Sequence, residues 1–129
     1  MQVTSKQLKS LEVVLDKVFA KIGMDVEFTK HFKQRINDPR NKEQITVKEL
    51  AILFKKEYIR WGKKIAQMGP DAEAVMKDLS SDINVPFKLE WNNQTKELEL
   101  VAKTIMRKKN FSTPNKQYKV ESFKSFMGK

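Results

Sequence analysis

The chain has one histidine, His31, four residues before Arg35. On a helix that spacing puts both side chains on the same side. An imidazole that titrates near neutrality can move a proton, and a guanidinium can hold a phosphate through two parallel hydrogen bonds. A second constellation lies far along the chain, in Lys103-Thr104-Ile105-Met106-Arg107-Lys108-Lys109. On a regular strand Lys103 and Arg107 share a face while Thr104 points the other way, so one phosphate meets all three only if the strand is irregular. Arg40, within Asp38-Pro39-Arg40-Asn41, is a further phosphate ligand candidate, and Phe111, following Lys108 and Lys109 in a loop, is a candidate for stacking on a base. Each feature also has a plainer reading: a helix-surface pair, cations that blunt an edge strand, and a rigid turn built from Asp, Pro and Asn. Glu27 and Asp38 are the carboxylates near enough in sequence to orient the His31 ring.

The charge distribution points to the same stretch. Residues 101 to 129 hold eight Lys or Arg against a single acid, Glu121, and so supply +7 of the formal +10. A pI near 9.8 suits a polyanionic partner, and nucleic acid is the leading candidate. With no cysteine and one histidine, disulfides, thiolate nucleophiles and His/Cys metal centres are excluded. Glycine-rich phosphate loops and paired acidic motifs are also missing, so neither a metal nor an organic cofactor is expected. No apolar run approaches the roughly 20 residues of a membrane helix, and no signal peptide is recognisable. The expectation is one intracellular domain over residues 1 to 129, without a membrane partner.

These residues must be positioned by a scaffold that the periodicity outlines. Thr4-Ser5-Lys6-Gln7 has capping-box form, and Leu8, Leu11, Leu15, Val18 and Ile22 follow at helical spacing, predicting an N-terminal helix that Gly23 stops. After an extended piece over 24 to 28, a short helix begins at Thr29, with Phe28, Phe32 and Ile36 on one side. Thr46-Val47-Lys48-Glu49 opens a long amphipathic helix whose Phe54, Tyr58 and Trp61 read as core, and Gly69-Pro70 closes it. A shorter helix is expected from Asp71, with Val75, Met76 and Leu79 inward. From Ile83 the period falls to two. A strand to Trp91, a turn at Asn92 to Thr95, a second strand from Glu97 to Lys108 and a third over Lys116 to Val120 follow. Pro86 suggests that its strand is an edge. The expected class is α+β, with N-terminal helices on one face of a small antiparallel sheet formed by the C-terminal third, and a flexible tail over 121 to 129.

The order of these parts, with Thr-x-His-Phe-x-x-Arg at Thr29 to Arg35, then Ile45-Thr46 and a long helix, then a hairpin ending in Lys103-Thr104, resembles small phage-encoded proteins. It is similar to the metal-independent nuclease-like domains that include barnase, EndoU, colicin nucleases and RelE-type toxins. The resemblance spans residues 24 to 120. It implies metal-free RNA cleavage, with His31 as acid or base, Arg35 with Lys103 or Arg107 stabilising the transition state, and Thr104 positioning the phosphate. It implies RNA ahead of DNA as partner, contacts from Arg40, Arg107, Lys108, Lys109 and Phe111, and a host-cytoplasmic or virion-associated setting. The alternative is a non-catalytic basic protein that binds nucleic acid or other phage proteins.

Overall fold

The computed structural model describes residues 2 to 121, so all of the expected tail over 121 to 129 except Glu121 lies outside the described residues. Both capping boxes form. Thr4 accepts from the Gln7 backbone N–H and opens α1 (Ser5–Phe19), and Thr46 accepts from that of Glu49 and opens α3 (Val47–Gln67). A 3-10 turn over Ala20–Ile22 ends α1, and Gly23 then takes φ 74°, the left-handed conformation that glycine adopts without Cβ strain. Strand β1 (Met24–Phe28) follows, then the short α2 (Lys30–Arg35), whose N-cap Thr29 accepts from Phe32 N–H.

The predicted helix after Asp71 does not form; those residues make strand β2 (Glu73–Asp78). β2 pairs with β3 (Ile83–Asn92) on one side and with β6 (Lys116–Val120) on the other. Both edges being paired, the apolar run Ala74-Val75-Met76 is buried on both faces, and Leu79, expected inward, is 44% exposed. A contiguous apolar triplet suits a strand covered on both sides as well as a helix, and pairing partners decided the matter.

With β4 (Glu97–Ala102) the sheet order is β1-β4-β3-β2-β6, and β5 (Met106–Arg107) adds to β3. The class is α+β, but the sheet is mixed: β1 runs parallel to β4 and β2 parallel to β6. α1 packs on β1 and α3 on β2 and β6, so both long helices cover one face. The facing residues, among them Phe19, Phe32, Phe54, Phe87, Met76 and Leu100, form one continuous core. Phe28 belongs to β1 but stacks on Phe32 with ring centroids 4.7 Å apart, so the Phe28, Phe32, Ile36 grouping survives across two elements.

The predicted single strand over 97 to 108 is interrupted at 103 to 105, and Pro86 supplies the reason. β3 is central rather than an edge, and the Pro86 carbonyl accepts from Lys103 N–H at 2.9 Å. In an extended residue the N and C=O point to the same side, so the proline nitrogen faces this same gap. The missing N–H therefore falls where the ladder between β4 and β5 is broken. The break also shifts the alternation, burying Ile105 rather than Met106. The true edges are β1 and β6. Carboxylates of Glu12 and Asp16 on α1 accept from Phe28 and Val26 N–H at 2.7 and 2.8 Å, and Trp61 Nε1 donates to the Lys119 carbonyl of β6 at 2.8 Å. Helix side chains thus occupy the outer edge of β1 at Val26 and Phe28 and that of β6 at Lys119.

Candidate functional site: a basic cleft between α2 and β5

Two tethers lay α2 alongside the break. At its start Thr29 N–H donates to the Ala102 carbonyl at 3.3 Å and Thr29 Oγ1 donates to the Lys103 carbonyl at 2.9 Å. At its end buried Asn41 donates through Nδ2 to the Arg35 carbonyl at 2.8 Å, while its Oδ1 accepts from Arg107 N–H at 3.1 Å. A second buried amide, Asn84, donates to the carbonyls of Asp82, Met106 and Lys108 and holds the opposite wall. Between these walls lies a cleft of about 760 Å³ lined by six cations, Arg35, Arg40, Lys42, Arg107, Lys108 and Lys109, against the carboxylates of Glu43 and Asp82.

The cations differ in how far they are free to meet a ligand. Arg107 donates through Nε to the Glu43 carbonyl, through one terminal nitrogen to Glu49 and the Ser81 carbonyl, and through the other to Glu49 and the Gln44 carbonyl. All five guanidinium N–H groups are committed inside the fold. Burial pushes the Glu49 carboxyl up, but hydrogen bonds from Arg107 and the Thr46 backbone outweigh it and leave the group below its ordinary range. Arg40 and Arg35 both reach Asp38, at 2.9 and 3.5 Å, and hydrogen bonds from Arg40 hold the Asp38 carboxyl down to about 2. Arg35 Nε is buried without a hydrogen-bond partner. Lys42, Lys108 and Lys109 are exposed on the rim. Lys42 has φ 65° and ψ −60°, and Glu43 N–H bonds to the Asn41 carbonyl at 2.7 Å across it. That is a γ-turn in its rare, strained form, kept at the mouth of the cleft.

The predicted residues are distributed as follows. Arg35, Arg40, Arg107, Lys108 and Lys109 line one cleft. His31 is exposed in the first turn of α2, which begins against Lys103. The Lys103 ammonium turns instead to Glu73 on β2, and the two groups form an ion pair. Lys103 and Arg107 therefore do not act from one face as a regular strand would place them. Thr104 Oγ1 is buried and has no hydrogen-bond partner, a costly condition for a hydroxyl. Phe111 lies outside the cleft lining, and its carbonyl accepts from Lys77 Nζ. Of the carboxylates considered for His31, Asp38 is taken by the two arginines. Burial, then repulsion from Glu99, Glu12 and Glu90, raises the pKa of Glu27.

Sequence reasoning did not find Lys42, Asn41, Asn84 or the Glu49 clamp. Lys42 carries no motif, and its place depends on a backbone conformation that lysine rarely adopts. Nor did it find the acidic counterpart on the outer sheet face, where Asp25, Glu99 and Glu90 lie opposite one another on three neighbouring strands. Burial, then repulsion from Glu99, Asp16, Glu97 and Glu27, raises Asp25 to about 6. The basic cleft and the acidic row thus carry charge of opposite sign on different parts of the sheet. Among the described residues no helix is long and apolar enough to cross a membrane, and no group of three or more His, Cys, Asp or Glu is placed to hold a metal ion. No protein family model, curated protein or solved structure matches this chain.

Proposed function

We propose that this protein acts on RNA, holding the phosphodiester backbone in the cleft between α2 and β5, in the manner of a metal-independent ribonuclease. The observation that carries the reading is the cleft itself: six cations on two walls, with α2 tethered at both ends to residues 102 to 107. In this reading Lys42, Lys108 and Lys109 contact phosphates and Arg35 reaches one from the cleft wall. Arg107 holds the wall and contributes its charge to the field. His31, exposed one turn before Arg35 and outside the cleft lining, is the proton-transfer group assigned to attack of a ribose 2′-hydroxyl in the catalytic form of this reading. The orphaned Thr104 hydroxyl, one residue from the Lys103 carbonyl that receives Thr29, is suited to gaining a partner when substrate arrives.

Binding without cleavage is the second reading, and specific contacts favour it: Lys103 is paired with Glu73, and Arg107 has no donor left for a transition state. One experiment separates the two. Purified protein and its His31→Ala variant are incubated with mixed RNA and DNA in chelator, and fragments are resolved on a gel. Cleavage of RNA by the parent and not by the variant supports catalysis. Salt-sensitive retention of intact RNA by both supports the binding module. Absence of any binding removes both.

A further inference from the structure

Away from the cleft, where α3 meets the edge strand β6, aromatic rings and cations are interleaved. Trp61 is only partly buried, and its Nε1 bond to the Lys119 carbonyl at 2.8 Å fixes the indole plane. Its ring rests on Tyr118 with centroids 5.4 Å apart. The Arg60 guanidinium and the Lys64 ammonium stand 5.3 and 5.6 Å from the indole centroid, and Lys116 stands 6.0 Å from that of Tyr118. Lys63, Lys64, Lys116 and Lys119 are all exposed. Among the described residues, the ion pairs of the fold involve none of these four. Glu57, the acid nearest Trp61 on α3, is wholly buried with neither oxygen hydrogen-bonded. Burial raises its carboxyl well above the ordinary carboxylate range.

We propose that the Trp61 ring, backed by Tyr118 and ringed by Arg60, Lys64 and Lys116, is a stacking platform for a base of single-stranded RNA lying outside the cleft. The proposal rests on the RNA reading above and extends it to a second contact. A rigid indole offers a π-face to any base, while lysines around it meet the flanking phosphates, the combination by which single strands are held without sequence readout. The Lys64 ammonium over the ring sits on a flexible stem and yields the face to a base while keeping its charge beside it.

The test uses the full chain carrying Trp91→Phe, which leaves Trp61 as the sole tryptophan. A labelled twelve-residue oligouridylate is titrated, with binding followed by anisotropy and stacking by Trp61 fluorescence. Inorganic polyphosphate of matched charge serves as the probe without bases. The expected result is quenching by the oligouridylate and none by polyphosphate, with Lys64→Glu/Lys116→Glu weakening binding and abolishing the quench. Trp61→Ala should weaken binding about five- to hundred-fold, the range expected for losing one stacked base. Full binding without quenching overturns the platform and leaves the cleft reading intact. Equal quenching by polyphosphate overturns it in favour of a plain anion patch. No binding at all, with unchanged far-ultraviolet circular dichroism, overturns both.

Discussion

Arg107→Met separates a wall-forming arginine from a ligand-holding one. The substitution keeps the length and apolar stem of the side chain but removes five donors, leaving the Glu49 carboxylate and the carbonyls of Glu43, Gln44 and Ser81 without them. Hydrogen bonds from a charged donor contribute about 1.5 kcal/mol each, so the three carbonyls would account for about 4.5 kcal/mol if additive. The Glu49 pair is discounted to about 1 kcal/mol because that carboxylate is 30% exposed. Non-additivity and the greater apolar burial of Met reduce the sum, and the net loss expected is about 3 kcal/mol. At a urea dependence of about 1.5 kcal/mol/M, the unfolding midpoint falls by about 2 M. Oligouridylate affinity, measured well below that midpoint, should fall as the wall loosens. Should the variant unfold within about 0.5 M of the parent while losing all RNA affinity, the guanidinium faces the ligand and the clamp argument is wrong.

Three further outcomes follow from the same geometry. Lys108→Gln/Lys109→Gln should leave the unfolding midpoint unchanged, because both side chains are exposed, and should lower the slope of log affinity against log salt by about 1.4 if each lysine meets one phosphate of a single strand; an unchanged slope would place the ligand elsewhere. Asn84→Ala removes a buried amide that donates to three carbonyls, and amide exchange at residues 106 to 108 should accelerate more than in β4, a selectivity whose absence would show that Asn84 does not hold that wall. Glu57 has a folded-state pKa above its unfolded value, so the folded protein binds its proton more tightly, and stability conferred below about pH 4.5 is lost as pH rises toward the folded pKa. Relative to Glu57→Gln, urea unfolding of the parent should therefore lose up to about 1.4 kcal/mol per pH unit above that point, and parallel profiles would mean that the carboxyl is not held protonated.

What the sequence revealed depended on how local the cause was. Capping boxes at Thr4 and Thr46, the stop at Gly23 and the turn at Asn92 are decided within a few residues, and all four form as the side-chain chemistry predicts. The segment after Asp71 misled because Ala74, Val75 and Met76 satisfy two periods until partners on both sides are known. Pro86 was assigned to an edge by a rule that assumes an unbroken neighbour, and here the neighbouring strand is broken instead. The same limit governs the cleft. Clustered charge at 103 to 109 was visible, whereas the commitment of Lys103 to Glu73 and of Arg107 to Glu49 depends on residues 30 and 58 positions away in the chain.

That interruption connects the fold to the cleft. Had β4 continued unbroken from Glu97 to Lys108, regular alternation would have sent Lys103, Arg107 and Lys109 to one face and Lys108 to the other. The Lys103 carbonyl would then have faced β3 and would not have been left to receive the Thr29 hydroxyl. With the ladder stopped opposite Pro86, the Lys103 carbonyl receives the Thr29 hydroxyl just beyond the last β1–β4 rung and fixes the start of α2, and the chain re-enters the sheet at Met106 with its phase shifted. Arg107 then turns inward against Glu49, and Lys108 and Lys109 reach the rim opposite Arg40 and Lys42. A proline tolerated only beside a broken ladder thus gives the helix its anchor and the cations their common cleft.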